Sequence, residues 1–371
     1  MRIVFVLRSL VHGGGVERTL TDKANYLYEQ GHEVVFLTYE NGCHPLAFPL
    51  KATHIDLRCP MFKVYIVPIY LRFFMFLKMR HIFKQRFNSF VDEFSPDIIV
   101  VTTYSDDVIK NIMSVRKKAK IVVESHSAFT HDMEGGTLLK RMKKFFHLKS
   151  LKECHLLIAL TKGDAACWRQ YINNVVTVQN PVPFYCEDIS TLERLPGRIL
   201  AVGRYQPQKR FDRLISAFAM IANQHPQWYI DIYGEGPEET NLRRQIEAEN
   251  LGDRIFLHAS TQDICSEYKK SQMFVLSSDY EGLPLVLLEA MACGVAPIST
   301  KCPFGPDEVI EDGVTGLLAN MEVTDLAQKM EWMITHEKER LEIGQNAHQA
   351  AAQYKKEQVM KKWEHTYQSI I

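Results

Sequence analysis

Two carboxylates stand in one apolar stretch, DYEGLPLVLLEAMACG (residues 279–294): Glu281 and Glu289, with seven residues between them. Pro284 suits a helix start and Gly294 the residue just past a helix end, so the spacing predicts a short capped helix over 284–293, with Glu281 on the loop before it. Apart from Glu289 that helix is apolar on every face, the pattern of a helix buried all round. An ionised carboxylate left unpaired there is costly. Glu289 is therefore expected to meet either a protein donor or the hydroxyls of a bound ligand.

A second group of residues suits a phosphate-bearing ligand. Arg204 and Lys209 lie five apart in GRYQPQK (203–209) on a strand-to-helix loop. Both can reach one diphosphate, the arginine as a fork and the lysine as a point charge; the bland alternative is two solvated surface cations. Gly234 in YGEGP brings backbone close to a ligand, and Ile255 and Phe256 in RIFLHA offer main-chain groups as a seat for a flat base. In the first half, HGGGVER (12–18) follows a strand, so Gly14 and Gly15 allow close backbone approach at a helix N-terminus, with His12 beside them. The loop is not G-x-G-x-x-G, which argues against a dinucleotide fold. His126, in VVESHSAFT, ends a first-half strand. No D-x-D occurs and no carboxylate cluster suggests a magnesium cage. Phosphate charge then falls to Arg204, Lys209 and backbone N–H groups, including those of Gly282 and Leu283 after Glu281, with no metal and no cofactor expected.

The elements that position these residues are strands alternating with helices. RIVFVL (2–7), EVVFLTY (33–39), DIIVVTT (97–103), KIVVES (120–125) and HLLIAL (155–160) form a first series. RILAVG (198–203), WYIDIYG (228–234), RIFLHA (254–259), MFVLSS (273–278) and VAPIST (295–300) form a second, after the turn-rich residues 180–197. Unbroken apolar strands between helices predict parallel sheets covered on both faces. The fold class is α/β, with two Rossmann-like domains facing across a cleft: 1–180, a linker over 181–197, 198–350, and a C-terminal helix over 351–371 that crosses back to the first domain. Ligands of such sheets sit at the carboxyl ends of the strands.

Composition narrows the class. At 371 residues with 44 basic and 44 acidic side chains, the chain carries no net charge that would point to nucleic acid. Residues 1–190 hold 25 basic and 18 acidic groups, leaving 19 and 26 for the rest, so the first half is set to meet something anionic. Eight cysteines without a C-x-x-C pair fit a reducing compartment and suggest no zinc site. Arg8 interrupts the apolar N-terminus, which reads as a strand rather than a signal peptide, and no stretch has spanning length. A cytoplasmic protein is expected.

Taken together, the two glutamates, the GR…K loop, YGEGP, GGGVER and CPFGPDEVIEDGVTGLL resemble retaining glycosyltransferase family 4, of the GT-B fold. The resemblance implies transfer of a sugar from a nucleoside diphosphate donor, a UDP-hexose or UDP-N-acetylhexosamine foremost, with retention. Glu289 would hold the ribose hydroxyls and Glu281 the donor sugar; Arg204 and Lys209 would bind the diphosphate, with Gly14 and Gly15 against it; His126 would lie near the reacting carbon. The acceptor would be a glycan or lipid-linked acceptor in surface polysaccharide, lipopolysaccharide or glycolipid synthesis. A sugar-nucleotide epimerase of the same fold and a non-catalytic glycan- or membrane-binding subunit are the alternatives.

Residues 57–91 contain no acidic side chain but carry Lys63, Arg72, Lys78, Arg80, Lys84 and Arg86 among nine aromatics, and KRMKKFF (140–146) repeats the mixture. Segments 60–90 and 140–150 therefore suit peripheral contact with an anionic membrane, at the inner face of the plasma membrane. Phe76, Phe83, Phe87 and Phe90 share one helical face, so one helix is expected to pack that stripe inward and show its cations outward.

Overall fold

A computed structural model of the protein describes residues 1–11, 14–103, 108–129 and 138–371, with backbone alone over 138–141. The chain divides into two compact units, Met1–Gln179 with Met360–Ile371, and Asn180–Val359.

The first unit is built on a seven-stranded parallel sheet: β1 (Arg2–Leu7), β2 (Glu33–Thr38), β3 (Thr53–Asp56), β4 (Ile98–Thr102), β5 (Lys120–Ser125), β6 (Leu156–Ala159) and β7 (Val175–Thr177), in the order β3-β2-β1-β4-β5-β6-β7. The second has six strands, β8 (Arg198–Val202), β9 (Tyr229–Tyr233), β10 (Ile255–His258), β11 (Met273–Leu276), β12 (Ala296–Thr300) and β13 (Leu317–Ala319), in the order β10-β9-β8-β11-β12-β13. In both units the first strand lies beside the fourth, so the order of connection reverses between β1 and β4 and again between β8 and β11. These are the switch points at which doubly wound sheets open a crevice for ligands.

The central strands are buried along their length, as their unbroken Val, Ile, Leu and Phe runs predict. The short edge strands β3, β7 and β13 are not legible in the sequence; β3, THID, alternates between exposed and half-buried positions. The helix Gly15–Glu29 ends just before Gly31, which lies in the left-handed region at φ 82°. Residues 181–197, read from the sequence as a linker, pack on the second unit: the Cys186 N–H donates to the Ala292 carbonyl and the Leu195 N–H to that of Lys270.

The helix Arg72–Phe94 behaves as a two-faced element. Phe83 and Phe87 are fully buried and Phe76 and Phe90 pack against the same core. The chain before it and its first turns leave Tyr65, Ile66, Ile69, Tyr70, Phe73 and Phe74 exposed, and Phe145 and Phe146 of the helix Leu138–Leu151 are exposed as well. No helix among the described residues is long and apolar enough to cross a membrane.

Candidate active site

In the second unit, the loops after β8 and β11 meet at the switch point. The turn Pro207–Lys209 brings Lys209 there, and the loop after β11 brings Glu281; the Lys209 Nζ lies 2.6 Å from Glu281 Oε1. Both side chains are largely shielded, 14% and 10% exposed, so the ion pair is less screened than one on the surface. The backbone fixes it. The Asp279 N–H donates to the Gln208 carbonyl, Gln208 Nε2 to the Tyr280 carbonyl at 2.7 Å and Ser277 Oγ to the Lys209 carbonyl at 2.8 Å. Arg213 adds bonds to the Ser277 carbonyl and to Asp279. Arg210, in the left-handed region at φ 49°, reaches Asp212 and Asp279.

Arg204 and Lys209, the two cations expected to reach one diphosphate, differ in their surroundings. Lys209 is already paired with Glu281. Arg204 is exposed, and its guanidinium meets no partner among the described residues. The neighbouring Tyr205 is buried, its hydroxyl within 2.8 Å of the carbonyls of Ile232 and His258, which ties the loop to the ends of β9 and β10.

The helix predicted over 284–293 runs Leu285–Ala292, capped by Pro284 and followed by Gly294 at φ 64°. Leu287, Leu288, Ala290, Met291 and Ala292 are wholly buried, and Glu289 nearly so. Of the two partners expected for Glu289, the fold supplies a protein donor: the hydroxyl of Tyr268, on the helix Ile264–Lys269, lies 3.0 Å from Glu289 Oε2. The same hydroxyl is 3.0 Å from the Val286 carbonyl, and the charged acceptor is the stronger of the two. Burial, then the adjacent Glu289 charge, raises the Tyr268 phenol well above its ordinary range, so it remains a donor at every physiological pH.

The glycines serve packing first. A Cβ on Gly234 would fall 1.9 Å from the Gly203 carbonyl oxygen, so this glycine lets two strand ends touch. A Cβ on Gly305, in CPFGP, would fall 2.3 Å from the Gly282 carbonyl oxygen; the segment after β12 therefore supports the EGLP loop, a role its sequence did not announce. Gly282 is half-buried and Leu283 buried, immediately before the helix. Ile255 and Phe256 stand apart from the others. They open β10, aligned with Ile230 and Asp231 of β9, whereas the carboxyl edge lies at His258, aligned with Tyr233. Their side chains do not join the site: Ile255 is core and Phe256 is partly exposed at the opposite end.

From that edge back toward the start of β8 the fold assembles a group the sequence reading missed. His258 stacks on Tyr233, centroids 4.5 Å apart, and its Nε2 lies 2.7 Å from Asp231 Oδ1. Arg198 links Asp231 to Glu267, which also accepts from the Tyr233 hydroxyl at 3.0 Å.

In the first unit, Gly14 caps the helix Gly15–Glu29 and the Glu17 side chain folds back over it; His12 and Gly13 lie outside the described residues. His126 follows β5 with its side chain buried, Nε2 2.9 Å from Glu124 Oε2. Glu124 also takes Lys23 Nζ at 2.6 Å and the Tyr367 hydroxyl at 2.6 Å, and Lys23 lies 3.1 Å from the centre of the Trp363 ring. Burial alone would raise the Glu124 carboxyl, but the Lys23 charge and the His126 contact overcome it and hold the group at about 2. Burial depresses Lys23 to about 8 against the pull of Glu124, and depresses His126 below its usual value, which keeps that ring neutral. A buried carboxylate thus orients His126, and residues far apart in the chain supply its support.

Two families match this chain: Glycosyltransferase Family 4 over residues 13–184 and Glycosyl transferases group 1 over residues 191–350. The chain is a GT-B glycosyltransferase. An uncharacterized glycosyltransferase of Haemophilus influenzae is 24% identical to the transferase over 366 residues, 98% of each chain. The Campylobacter jejuni GalNAc-alpha-(1->4)-GalNAc-alpha-(1->3)-diNAcBac-PP-undecaprenol alpha-1,4-N-acetyl-D-galactosaminyltransferase is 24% identical over 98% of this chain and 97% of its own. Other relatives match about half of the transferase and 21% or 55% of their own length. Among solved structures, a TarM mutant of S. aureus in complex with Fondaparinux, alpha-GlcNAc-glycerol and UDP superposes with a TM-score of 0.79 at 14% identity, over 99% of the transferase and 100% of TarM. At that identity the likeness concerns the fold.

Proposed function

We propose that this glycosyltransferase moves a hexosyl or N-acetylhexosaminyl group from a UDP-sugar to a glycan or lipid-linked acceptor of a surface polysaccharide, lipopolysaccharide or glycolipid, with retention and hence an alpha linkage. The observation that carries the reading is the Lys209–Glu281 pair at the β8/β11 switch point, where a doubly wound sheet receives its ligand. Relatives and neighbours of the same architecture support the donor class: the Campylobacter protein is named an N-acetylgalactosaminyltransferase, and TarM and the pneumococcal GtfA were solved with UDP.

In this reading Glu289, steadied by Tyr268, accepts from the ribose hydroxyls, and Glu281 accepts from the donor sugar while holding Lys209 toward the diphosphate. Arg204 is exposed and able to turn onto the same phosphates. Gly14 and Gly15 open a helix whose N-terminus favours anionic oxygens. His126, its Nε2–H held by Glu124, contacts the donor sugar or the acceptor with Nδ1 as an acceptor of a hydroxyl proton. The acceptor hydroxyl oxygen bonds to the anomeric carbon on the face that the diphosphate leaves. The carbon–phosphate-oxygen bond breaks, its electron pair stays on the diphosphate, and the acceptor proton passes to a phosphate oxygen. Lys209 and Arg204 stabilise the departing charge, so no divalent cation is required.

The exposed aromatics of 65–74 beside Lys63, Arg72 and Lys78, with a second exposed group at 142–146, support peripheral seating on the inner face of the plasma membrane. The test of the activity is a panel of nucleotide sugars offered to the full chain, then mass analysis of products on lipid-linked acceptors. A mass increase of one hexose or one N-acetylhexosamine that requires a UDP-sugar is expected. Failure of every nucleoside diphosphate sugar to bind, or epimerisation of the donor without an acceptor, would overturn the reading.

A further inference from the structure

Cysteine spacing carries no sign of a metal site, yet the second unit gathers three of the eight cysteines at one point. Cys186 comes from the segment leading into β8, Cys265 from the first turn of the helix Ile264–Lys269, and Cys293 from the C-terminal end of Leu285–Ala292. Their sulfurs all lie within 4.8 Å of one another, and Cys186 Sγ is 3.3 Å from Cys293 Sγ. Backbone contacts hold the group in place. The Cys186 N–H donates to the Ala292 carbonyl at 3.1 Å, and Arg194 donates to the carbonyls of Cys293 and Gly294 at 2.8 and 2.9 Å. Cys186 and Cys293 are buried and Cys265 is half-buried, which leaves one side of the triangle approachable.

Size and chemistry point the same way. A cation about 2.3 Å from each of three sulfurs needs them roughly 3.8–4.0 Å apart, which a triangle with no side above 4.8 Å meets with small adjustment. A disulfide would use two sulfurs and give the third no part. The group contains no carboxylate or imidazole, so it suits a thiophilic ion and not a hard one.

We propose that Cys186, Cys265 and Cys293 form a three-thiolate site for a thiophilic d¹⁰ cation of the zinc(II) class, one per chain. Binding replaces three S–H protons by three S–metal bonds and releases those protons to solvent, and water fills a fourth position. The ion clamps together the segment entering the unit, the helix that carries Tyr268 and the helix that carries Glu289. It thereby fixes the geometry of the Tyr268–Glu289 hydrogen bond without touching either residue. The site stands on sulfur geometry and does not depend on the sugar-transfer reading.

The experiment is zinc titration of the reduced, metal-free full chain in competition with a chromophoric chelator, repeated with cadmium to read thiolate-to-metal absorbance. One equivalent is expected. Cys265→Ser, at the least buried position, is expected to weaken binding by about 100-fold or more, beyond the usual loss from an outer-shell partner, whereas Cys43→Ser changes nothing. Zinc is also expected to protect Cys186, Cys265 and Cys293 of the unmutated chain from alkylation while Cys43 reacts, a readout that needs no variant to fold. Absence of stoichiometric uptake, uptake unaltered by Cys265→Ser, or a chain that forms a Cys186–Cys293 disulfide and takes up no metal would each overturn the site.

Discussion

Lys209 and Glu281 are 72 residues apart in sequence and 2.6 Å apart in space, one on each of the loops that follow the two strands flanking the switch point of the second sheet. Neither group is free in this arrangement. The glutamate positions the lysine as well as offering an oxygen to a ligand, and the two are expected to act as a unit.

Lys209→Ala is expected to lower kcat/KM by about 10²–10³-fold, the range for removing one preorganised stabiliser of transition-state charge. Glu281→Ala is expected to fall in the same range, and the double variant to lose clearly less than the product of the two. A double-mutant cycle on initial rates measures the coupling, about 0.5–3 kcal/mol for groups in contact. Full additivity would show that the pair observed here does not persist during turnover.

Tyr268→Phe removes one hydrogen bond that the buried Glu289 carboxylate accepts in an apolar helix. The expected cost is about 1–3 kcal/mol of stability. If ribose hydroxyls bind the same carboxylate, saturating UDP recovers part of this loss. Urea unfolding with and without UDP reads both effects, and a variant as stable as the parent would exclude the hydroxyl as a needed partner.

The buried Lys23–Glu124 pair sets an acid limit. Because the Glu124 carboxyl is depressed in the folded chain to about 2, its contribution is fully present above about 4.5 and is lost as pH falls from there toward 2. Lys23 is depressed too, so the unfolded chain holds the lysine proton more firmly between about 8 and 10.5, and stability rises with pH across that window. Single variants Lys23→Met or Glu124→Gln are expected to cost about 3–5 kcal/mol, and the pair changed together much less, since a buried ion pair offsets its own desolvation. Denaturant unfolding as a function of pH checks the slopes and the ordering.

The exposed aromatics at 65–74 predict vesicle binding that depends on anionic lipid and weakens with salt. Ile69→Glu with Phe73→Glu is expected to abolish co-sedimentation without changing unfolding, since both side chains are exposed. Equal binding to zwitterionic vesicles, or none to anionic ones, would argue that this surface meets something else.

The long apolar strands, the capped helix before Gly294 and the loops rich in glycine and cations were legible along the chain. Hydrophobic runs, helix caps and turn residues act over a few neighbours, and their spacing is preserved in the linear order. The edge strands β3, β7 and β13 were not, because short half-exposed segments owe their extension to a neighbouring strand. Partnerships were the larger omission. Glu289 was recognisable as a carboxylate in need of a donor, but Tyr268 was not recognisable as that donor. Glu124 beside His126 passed unnoticed, since its partners Lys23 and Tyr367 lie 101 and 243 residues away. Ile255 and Phe256 were assigned from their strand without knowing which end of it carries the loops. The three cysteines show the limit most clearly: their separations in sequence fit no ligand motif, and they meet because two helices and an entering segment pack together. Local chemistry fixes which residues are capable of a role, while long-range packing decides which of them face one another, because a contact's energy depends on distance through space and not along the chain.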